Sequence, residues 1–290
     1  MLPFKFIIVP DMGFGAINQT EATMIEQFAR ALRLSDLSDN TIVSYCKAVE
    51  YFHRQYGEVT KKNLLSYKGW LVENYKAKTV NLRLQALNRY LDFIHKPNLK
   101  MKFIKVQQEN FLENVISDAD YRFFCRKLKS ENRLNWYFVV RYLCATGARI
   151  SELLQIKVEH VEAGYLDLYC KGGKLRRIYI PKRLKEETDA WLMEIGLTSG
   201  YLFRNRFGSR ITARGVGYQL KILAVEYGID PKVVYPHSFR HRFAKNFLAK
   251  FNDIALLADL MGHESIETTR IYLRRTATEQ RELIDRIVTW

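Results

Sequence analysis

The sequence predicts a mostly α-helical protein with a small antiparallel β-sheet, divided into two domains. Three observations carry that expectation. Apolar residues recur at helical spacing through residues 18–95. One stretch, Gly164 to Ile180, alternates at period two on either side of Lys171-Gly-Gly-Lys174, the pattern of a β-hairpin. Residues 96–116 hold a basic, proline-containing run between the two patterns and read as a linker. The chain has 290 residues, and at roughly 150 residues per domain that length suits about two domains.

The elements follow in order. Residues 1–17 begin with the apolar run Phe4 to Pro10, too short to cross a membrane and without a basic lead, and are expected to form an arm. Thr20, Glu21 and Thr23 open a first helix, with Met24, Ile25, Phe28, Ala31 and Leu32 on its apolar stripe. Ser38 to Thr41 caps a second helix, with Ile42, Val43, Cys46, Val49 and Phe52 on its stripe and Gly57 at its end. Thr60 opens a third, carrying Leu64, Leu65, Leu71 and Val72. Lys78-Thr79 opens a fourth, with Val80, Leu84, Leu87, Leu91 and Ile94, and Pro97 stops it. These four make a helical bundle over residues 18–96, and 97–116 the linker. From Ser117 to residue 290 the pattern is mixed: helices over Asp118–Leu128 and Trp136–Ala145, another starting at Arg149 and running to Ile156, the hairpin, then further helices broken at Asn205–Ser209 and Tyr227–Pro231.

Composition bounds the partner. Lys and Arg number 46 against 31 Asp and Glu, a net charge of +15. A protein this basic suits a polyanion, either nucleic acid or an anionic membrane. Lys61, Lys62, Lys76, Lys78, Arg83 and Arg89 gather near the third and fourth helices and are candidate DNA contacts, with Lys174 in the hairpin turn. The four cysteines, Cys46, Cys125, Cys144 and Cys170, form no C-x-x-C pair and lie in apolar or strand-like runs, which suits reduced thiols in a cytosolic protein. No apolar run reaches the length of about 20 residues that a membrane span requires.

Six residues in the second half attract or attack a phosphate. Arg149 follows the break at Gly147, where a guanidinium beside a helix start makes an anion site. Lys171 precedes Gly172-Gly173 and is a candidate acid. Pro236 marks a helix start, and His237 and Arg240, spaced i,i+3, share its face. His237 and His241 also have the i,i+4 spacing of a two-histidine metal site, but neighbouring arginines repel a cation and no glutamate completes H-E-x-x-H. His263 follows Gly262, and Tyr272 lies nine positions on. A phenol, with a pKa near ~10, needs a base or a positive field to act as a nucleophile, and the surrounding histidines and arginines offer both.

In this order, the fragments resemble the tyrosine recombinase (phage integrase) family. Ala145-Thr-Gly-Ala-Arg149-Ile-Ser-Glu-Leu153 resembles its first arginine box, Cys170-Lys171-Gly-Gly-Lys174 its hairpin lysine, His237-Ser-Phe-Arg240-His241 its H-x-x-R block, and Met261-Gly-His263 with Tyr272 its histidine and nucleophile. Phe239 and Met261 stand where leucine is usual. The helical front half, with Asn40 to Tyr45 and Lys78 to Arg83, resembles the family's core-binding domain. The resemblance implies a two-domain architecture, a core-binding bundle followed by a mixed α+β catalytic domain over 117–290 with a C-terminal tail helix. With no arm-binding domain ahead of the bundle, it points to a short, Xer-like form.

The resemblance also implies a site-specific recombinase that cuts and rejoins DNA through a covalent 3′-phosphotyrosine on Tyr272. Arg149 and Arg240 would hold the non-bridging oxygens, His237 and His263 would assist proton movement, and Lys171 would protonate the leaving 5′-hydroxyl. Neither cofactor nor metal is implied. The expected partner is double-stranded DNA with inverted-repeat core sites, bound by a tetramer, in a bacterial or archaeal cytosol at the nucleoid. Leu283, Ile284, Ile287, Val288 and Trp290 recur at helical spacing, and this tail packs either on its own chain or on a neighbouring protomer. The competing readings are strand relaxation of the type IB topoisomerase kind and a DNA-binding protein with an idle site.

Overall fold

The computed structural model describes residues 19–106, 114–169, 175–263, 265–273, 281, 284–288 and 290. The expected arm 1–17, the hairpin turn with Cys170, Lys171 and Lys174, residues 107–113 of the expected linker, and Leu283 of the tail lie outside the described residues. The chain divides into two units, Met1–Gln108 and Glu109–Trp290.

The first unit is a bundle of α1 (Gln19–Leu34), α2 (Asp39–Tyr56), α3 (Lys61–Asn74) and α4 (Ala77–Phe93). The caps are those the sequence calls for. Ser38 accepts a bond from the Thr41 amide and Thr60 one from the Asn63 amide, each satisfying an orphan donor of the first turn. Helix α4 starts one residue ahead of the expected Lys78, after Lys76, which makes no side-chain cap. Phe28, Val49, Phe52, Leu71, Val80, Leu84 and Leu91 form the core.

Val43, Leu65 and Val72, expected on the apolar stripes, are exposed. Tyr45, Tyr67 and Tyr90 are buried among the apolar residues of this core. A stripe reading confined to aliphatic residues and Phe overlooks them, because Tyr buries its ring and still needs a partner for its hydroxyl. Tyr90 finds one in His53 Nε2 at 3.1 Å.

Residues 97–106, expected as linker, belong to this unit. A short 3-10 turn, Pro97–Leu99, leads into an extended run whose backbone is clipped to α4. Asn88 bonds both the amide and the carbonyl of Met101, each at 2.9 Å, and Asn81 does the same for Ile104, again at 2.9 Å. Asn81 and Asn88 are seven residues apart and so lie on one face of α4. Each side chain thus imitates a strand neighbour, and Lys68 adds a bond to the Lys102 carbonyl at 2.7 Å.

The second unit contains α5 (Asp118–Ser130), α6 (Leu134–Thr146), α7 (Ile150–Leu153), α8 (Val158–Ala163), the hairpin strands β1 (Tyr165–Tyr169) and β2 (Leu175–Tyr179), α9 (Lys182–Glu194), α10 (Ala213–Glu226), α11 (Pro236–Phe251), α12 (Ile254–Met261) and α13 (Ile266–Arg270). A 3-10 turn, Ile271–Leu273, follows α13 directly. The helix expected over Arg149–Ile156 is only the four residues of α7, because the chain turns after Leu153 to bury Leu154 and Ile156 before α8. Strands β1 and β2 pair antiparallel, with Tyr165 opposite Tyr179 and Tyr169 opposite Leu175. Along β2 burial alternates strictly, Arg176 and Ile178 in, Leu175, Arg177 and Tyr179 out.

Helix α6 packs along α11 at the centre of this unit, with Val139, Val140, Leu143 and Phe239 fully buried. The start of the unit is fastened to α11 as well. The Ile116 amide donates to Ser238 Oγ at 2.9 Å, and Arg242 pairs with Asp118 while lying 4.4 Å over the Tyr121 ring. In the tail, residues 284–287 are helical, and Ile284, Ile287, Val288 and Trp290 are exposed. Among the described residues no helix is long and apolar enough to cross a membrane.

The asparagine clips have a direct test. Replacing Asn88 by Ala removes two bonds, each worth about 1 kcal/mol. Hydrogen exchange at the Met101 amide is expected to quicken by about tenfold or more, with a smaller effect at Ile104, which keeps Asn81. Unchanged protection of Met101 would mean that side-chain packing alone holds the segment.

Candidate active site

The site is organised around two helix ends that close on glycine. Helix α6 ends at Gly147, φ +62°, and α12 at Gly262, φ +61°. Glycine suits this left-handed region, which other residues enter at a cost of about 1–2 kcal/mol. Space demands it too: a Cβ on Gly147 would lie 2.4 Å from Phe243 Cδ1, and one on Gly262 would lie 2.3 Å from Arg176 Cδ.

The last carbonyls of a helix lack intrahelical donors and carry partial negative charge. At α12 three successive carbonyls are taken by three different arginines. Leu260 accepts from Arg176 Nε and Nη2 at 3.2 and 2.9 Å, Met261 from Arg240 Nη2 at 2.7 Å, and Gly262 from Arg149 Nη2 at 3.1 Å. The carbonyl of Gly147 accepts from Arg240 Nη1 at 2.5 Å. Three guanidinium groups, from α11, from β2 and from the cap of α7, thereby converge on one helix end.

One carboxylate offsets them. Glu152 Oε1 accepts from Arg176 Nη1 at 2.5 Å and from Arg149 Nη1 at 2.8 Å, while Oε2 accepts from the Arg149 amide at 2.7 Å and lies 3.9 Å from Arg240 Nη1. Burial alone would raise its pKa, but the charge of Arg176 and the bonds from Arg149 and Arg176 outweigh that and hold it below the usual carboxylate range. The sequence reading placed an anion site at the helix start after Arg149. The cap amide of Arg149 itself donates to Glu152 Oε2.

Arg240 is 1% exposed. Burial first, and then the neighbouring Arg149, push its pKa down to about 10, so it remains cationic at neutral pH. Its Nη2 lies 3.0 Å from His263 Nε2. A guanidinium can only donate, so Nε2 is the acceptor and the proton sits on Nδ1, which donates to Thr269 Oγ1 at 2.7 Å. Burial and the adjacent arginines push His263 down to about 4. Burial and His237 push His241 to about 4 as well, and burial with Arg240 and Arg149 lowers His237, whose ring sits at the exposed rim 4.6 Å from that of His241. All three imidazoles are therefore neutral at pH 7 in the protein without ligand.

Tyr272 lies in the 3-10 turn, almost fully buried, its ring 5.3 Å from His241 and parallel to His263 at 6.2 Å. Burial raises its pKa above the ordinary phenol value, although Arg240, as charge and as hydrogen-bond donor, and Arg149 draw it down. At neutral pH the residue is a phenol, not the phenolate a cationic field alone would produce.

Arg149, His237, Arg240, His263 and Tyr272 thus share one site, and Lys171 and Lys174 lie outside the described residues. The candidate DNA contacts are on the first unit. Lys61 and Lys62 are exposed in the first turn of α3, as are Lys76 and Lys78 at the start of α4 and Arg89 further along it. Arg83 is half-buried instead, its guanidinium 4.4 Å over the Tyr75 ring. Sequence reasoning missed Arg176 and gave Glu152 no role. Both left a signal. Arg176 stands in phase with the buried Ile178 and Ile180, and Glu152 stands three residues after the cap Arg149, where a carboxylate reaches back to the cap amide.

The Phage integrase family pattern matches residues 114–279, and that of the phage integrase N-terminal SAM-like domain matches residues 24–96. The tyrosine recombinase XerA of Pyrococcus furiosus is 31% identical over 279 residues, covering 91% of this chain and 93% of the relative. The crystal structure of XerH recombinase bound to its difH substrate before cleavage is similar with a TM-score of 0.66 at 22% identity, covering 91% of this chain and 84% of the other. A lambda integrase tetramer bound to a Holliday junction gives a TM-score of 0.69 at 14% identity, covering 88% and 77%. These structural likenesses establish the fold.

The neutral histidines make stability depend on pH. His241 and His263 have pKa values of about 4 when folded against 6.5 ordinarily. As pH falls below about 6.5 the unfolded chain takes up their protons first, so the stability present above that value is withdrawn towards pH 4. The urea midpoint is expected to fall between pH 7 and pH 5.5, and His241→Phe to flatten that fall. An unaltered slope in His241→Phe would contradict a buried neutral imidazole at this position.

Proposed function

Because the chain belongs to the phage integrase family, we propose that it is a tyrosine-type site-specific DNA recombinase. It breaks and rejoins DNA strands through a phosphotyrosine bond. The observation that carries this reading is the juxtaposition of Tyr272 with Arg240 and Arg149 at the end of α12.

In the proposed reaction Tyr272 Oη attacks the scissile phosphorus and the P–O5′ bond breaks. The phenol proton passes to His237, neutral and at the rim of the site. The 5′-oxygen leaves with a proton from Lys171, and the 3′-phosphate remains on Tyr272. A 5′-hydroxyl then attacks the phosphotyrosine, restoring a diester with no external energy. Arg149 and Arg240 meet the charge that builds on the non-bridging oxygens, and they act strongly because the helix end and Glu152 have already oriented them. A bound phosphate also raises the pKa of nearby imidazoles, favouring proton uptake by His237 and His263 as chemistry begins.

Double-stranded DNA is the proposed partner. Lys61, Lys62, Lys76, Lys78 and Arg89 support contact with its backbone. Neither α3 nor α4 has an acidic residue in its first turn, where lysines stand instead. Cations at a helix N-terminus are unfavourable by a few tenths of a kcal/mol, about 0.3–1 at low salt, a cost that an arriving phosphate reverses. A cytosolic location with the DNA fits this partner.

Assembly of several protomers on DNA is proposed too, with the tail docking in trans. Its support is the exposure of Ile284, Ile287, Val288 and Trp290, an apolar set that its own chain leaves uncovered.

A substrate nicked close to the cut site traps the covalent product. The parent is expected to form a protein–DNA adduct and Tyr272→Phe none, while Arg240→Ala loses about 10²–10³ in rate. An adduct in Tyr272→Phe would remove the assignment of the nucleophile. For the tail, Ile287→Glu with Trp290→Glu is expected to leave adduct formation on a single site intact and to abolish the multimer on paired sites in light scattering. An unchanged multimer would sink docking through the tail.

A further inference from the structure

Arg176 is the guanidinium of the α12 cluster that bonds both Glu152 and the Leu260 carbonyl and has no place in the proposed reaction. Its side chain is 5% exposed, and its three bonded nitrogens are spent on Leu260 O and Glu152. It occupies an inward position of β2, where its neighbours in phase are isoleucines. A buried arginine there is costly unless it is paired and fully bonded. Its placement needs an explanation beyond packing.

The carboxylate supplies one. Glu152 is the anion closest to both Arg149 and Arg240. It is needed to orient Arg149, since it bonds both the amide and the guanidinium of that residue. Unopposed, the same negative charge would also cancel much of the positive field that the two arginines present to a phosphate. Arg176 makes the shortest bond to Glu152, 2.5 Å against 2.8 Å from Arg149. We propose that Arg176 is a positioning residue that neutralises Glu152, letting this carboxylate orient Arg149 without discharging the phosphate-facing pair. The inference rests on the reading of Arg149 and Arg240 as the groups that bind the scissile phosphate.

The geometry adds a second duty consistent with the first. The fork of Arg176 spans from Glu152 to the carbonyl of Leu260, three residues ahead of His263. It ties the cap of α7 to the end of α12, so the two elements that hold Arg149 and His263 share one fixed point. Gly262 keeps this fork in place, because a side chain there would strike the Arg176 Cδ.

The test compares Arg176→Met with the parent in single-turnover adduct formation on two nicked substrates. One carries an ordinary scissile phosphate. The other carries an uncharged methylphosphonate at the same position. On the phosphate the variant is expected to lose on the order of 10–100-fold at saturating DNA, less than direct removal of a phosphate-binding donor. On the methylphosphonate, which presents no anion to the cage, the loss is expected to shrink to within about threefold.

An equal loss on both substrates, or no loss on either, overturns the proposal, since a purely structural role would not distinguish them. Melting curves establish whether Arg176→Met is folded. Where it is not, Arg176→Lys carries the test. It keeps the charge and loses the fork, and is expected to cleave the phosphate substrate within about tenfold of the parent. A loss of about 100-fold or more in the lysine variant overturns the electrostatic role. Absence of any adduct with the parent would instead overturn the recombinase reading itself.

Discussion

Three like charges are held together at the end of α12, and the rest of the site follows from how that is done. Guanidinium groups repel, and burial makes the repulsion stronger. The helix end answers with three consecutive carbonyls that no intrahelical donor can reach, one for each arginine. Glu152 adds a single negative charge in their midst. The cluster keeps a net positive charge, yet each cation is fully oriented before any phosphate arrives. A site prepared in this way spends no reorganisation at the moment of reaction, which is where electrostatic catalysis draws its strength.

Burial and this field together set the protonation states. Burial first, and then the neighbouring cationic groups, lower the pKa of His237, His241 and His263, so all three imidazoles are neutral. Burial has the opposite consequence for Tyr272, whose phenol keeps its proton in spite of Arg240. Without ligand the site thus holds neutral imidazoles and a neutral phenol. In the proposed reaction an incoming phosphate would supply the missing negative charge, coupling proton transfer from Tyr272 to substrate binding.

Much of this architecture was legible in the sequence. Ser38, Thr60 and Pro236 mark helix starts by chemistry local to a few residues: Ser38 and Thr60 cap α2 and α3, and Pro236 is the first residue of α11. Arg149, His237, Arg240, His263 and Tyr272 could be singled out because their side chains have few other reasons to occur in such compact motifs. What escaped depends on pairs distant in the chain. Arg176 and Leu260 are 84 residues apart, and nothing local to either announces the bond. Asn81 and Asn88 look like ordinary polar residues on α4 until the chain returns at Met101 and Ile104 to be clipped. Residues 97–106 read as a free spacer for that reason. The exposed Val43, Leu65 and Val72 and the buried tyrosines of the first unit record a further limit, because apolar spacing tells which face is buried only to within a neighbouring position.

Helix α11 joins the chemistry to the frame of the second unit. His237, Arg240 and His241 face the site, and the residues between and after them, Ser238 and Arg242, hold the chain at Ile116 and Asp118. The anchoring residues and the site residues alternate within six positions of one helix. The contacts with Ile116 and Asp118 thus lie within one helical turn of Arg240. Arg240 in turn bonds the carbonyls of Gly147 and Met261, closing a circuit from the start of the unit through α11 to the ends of α6 and α12. A packed circuit of this kind has few intermediate positions available to it. The two glycines at its corners, Gly147 and Gly262, leave the room that Phe243 and Arg176 fill.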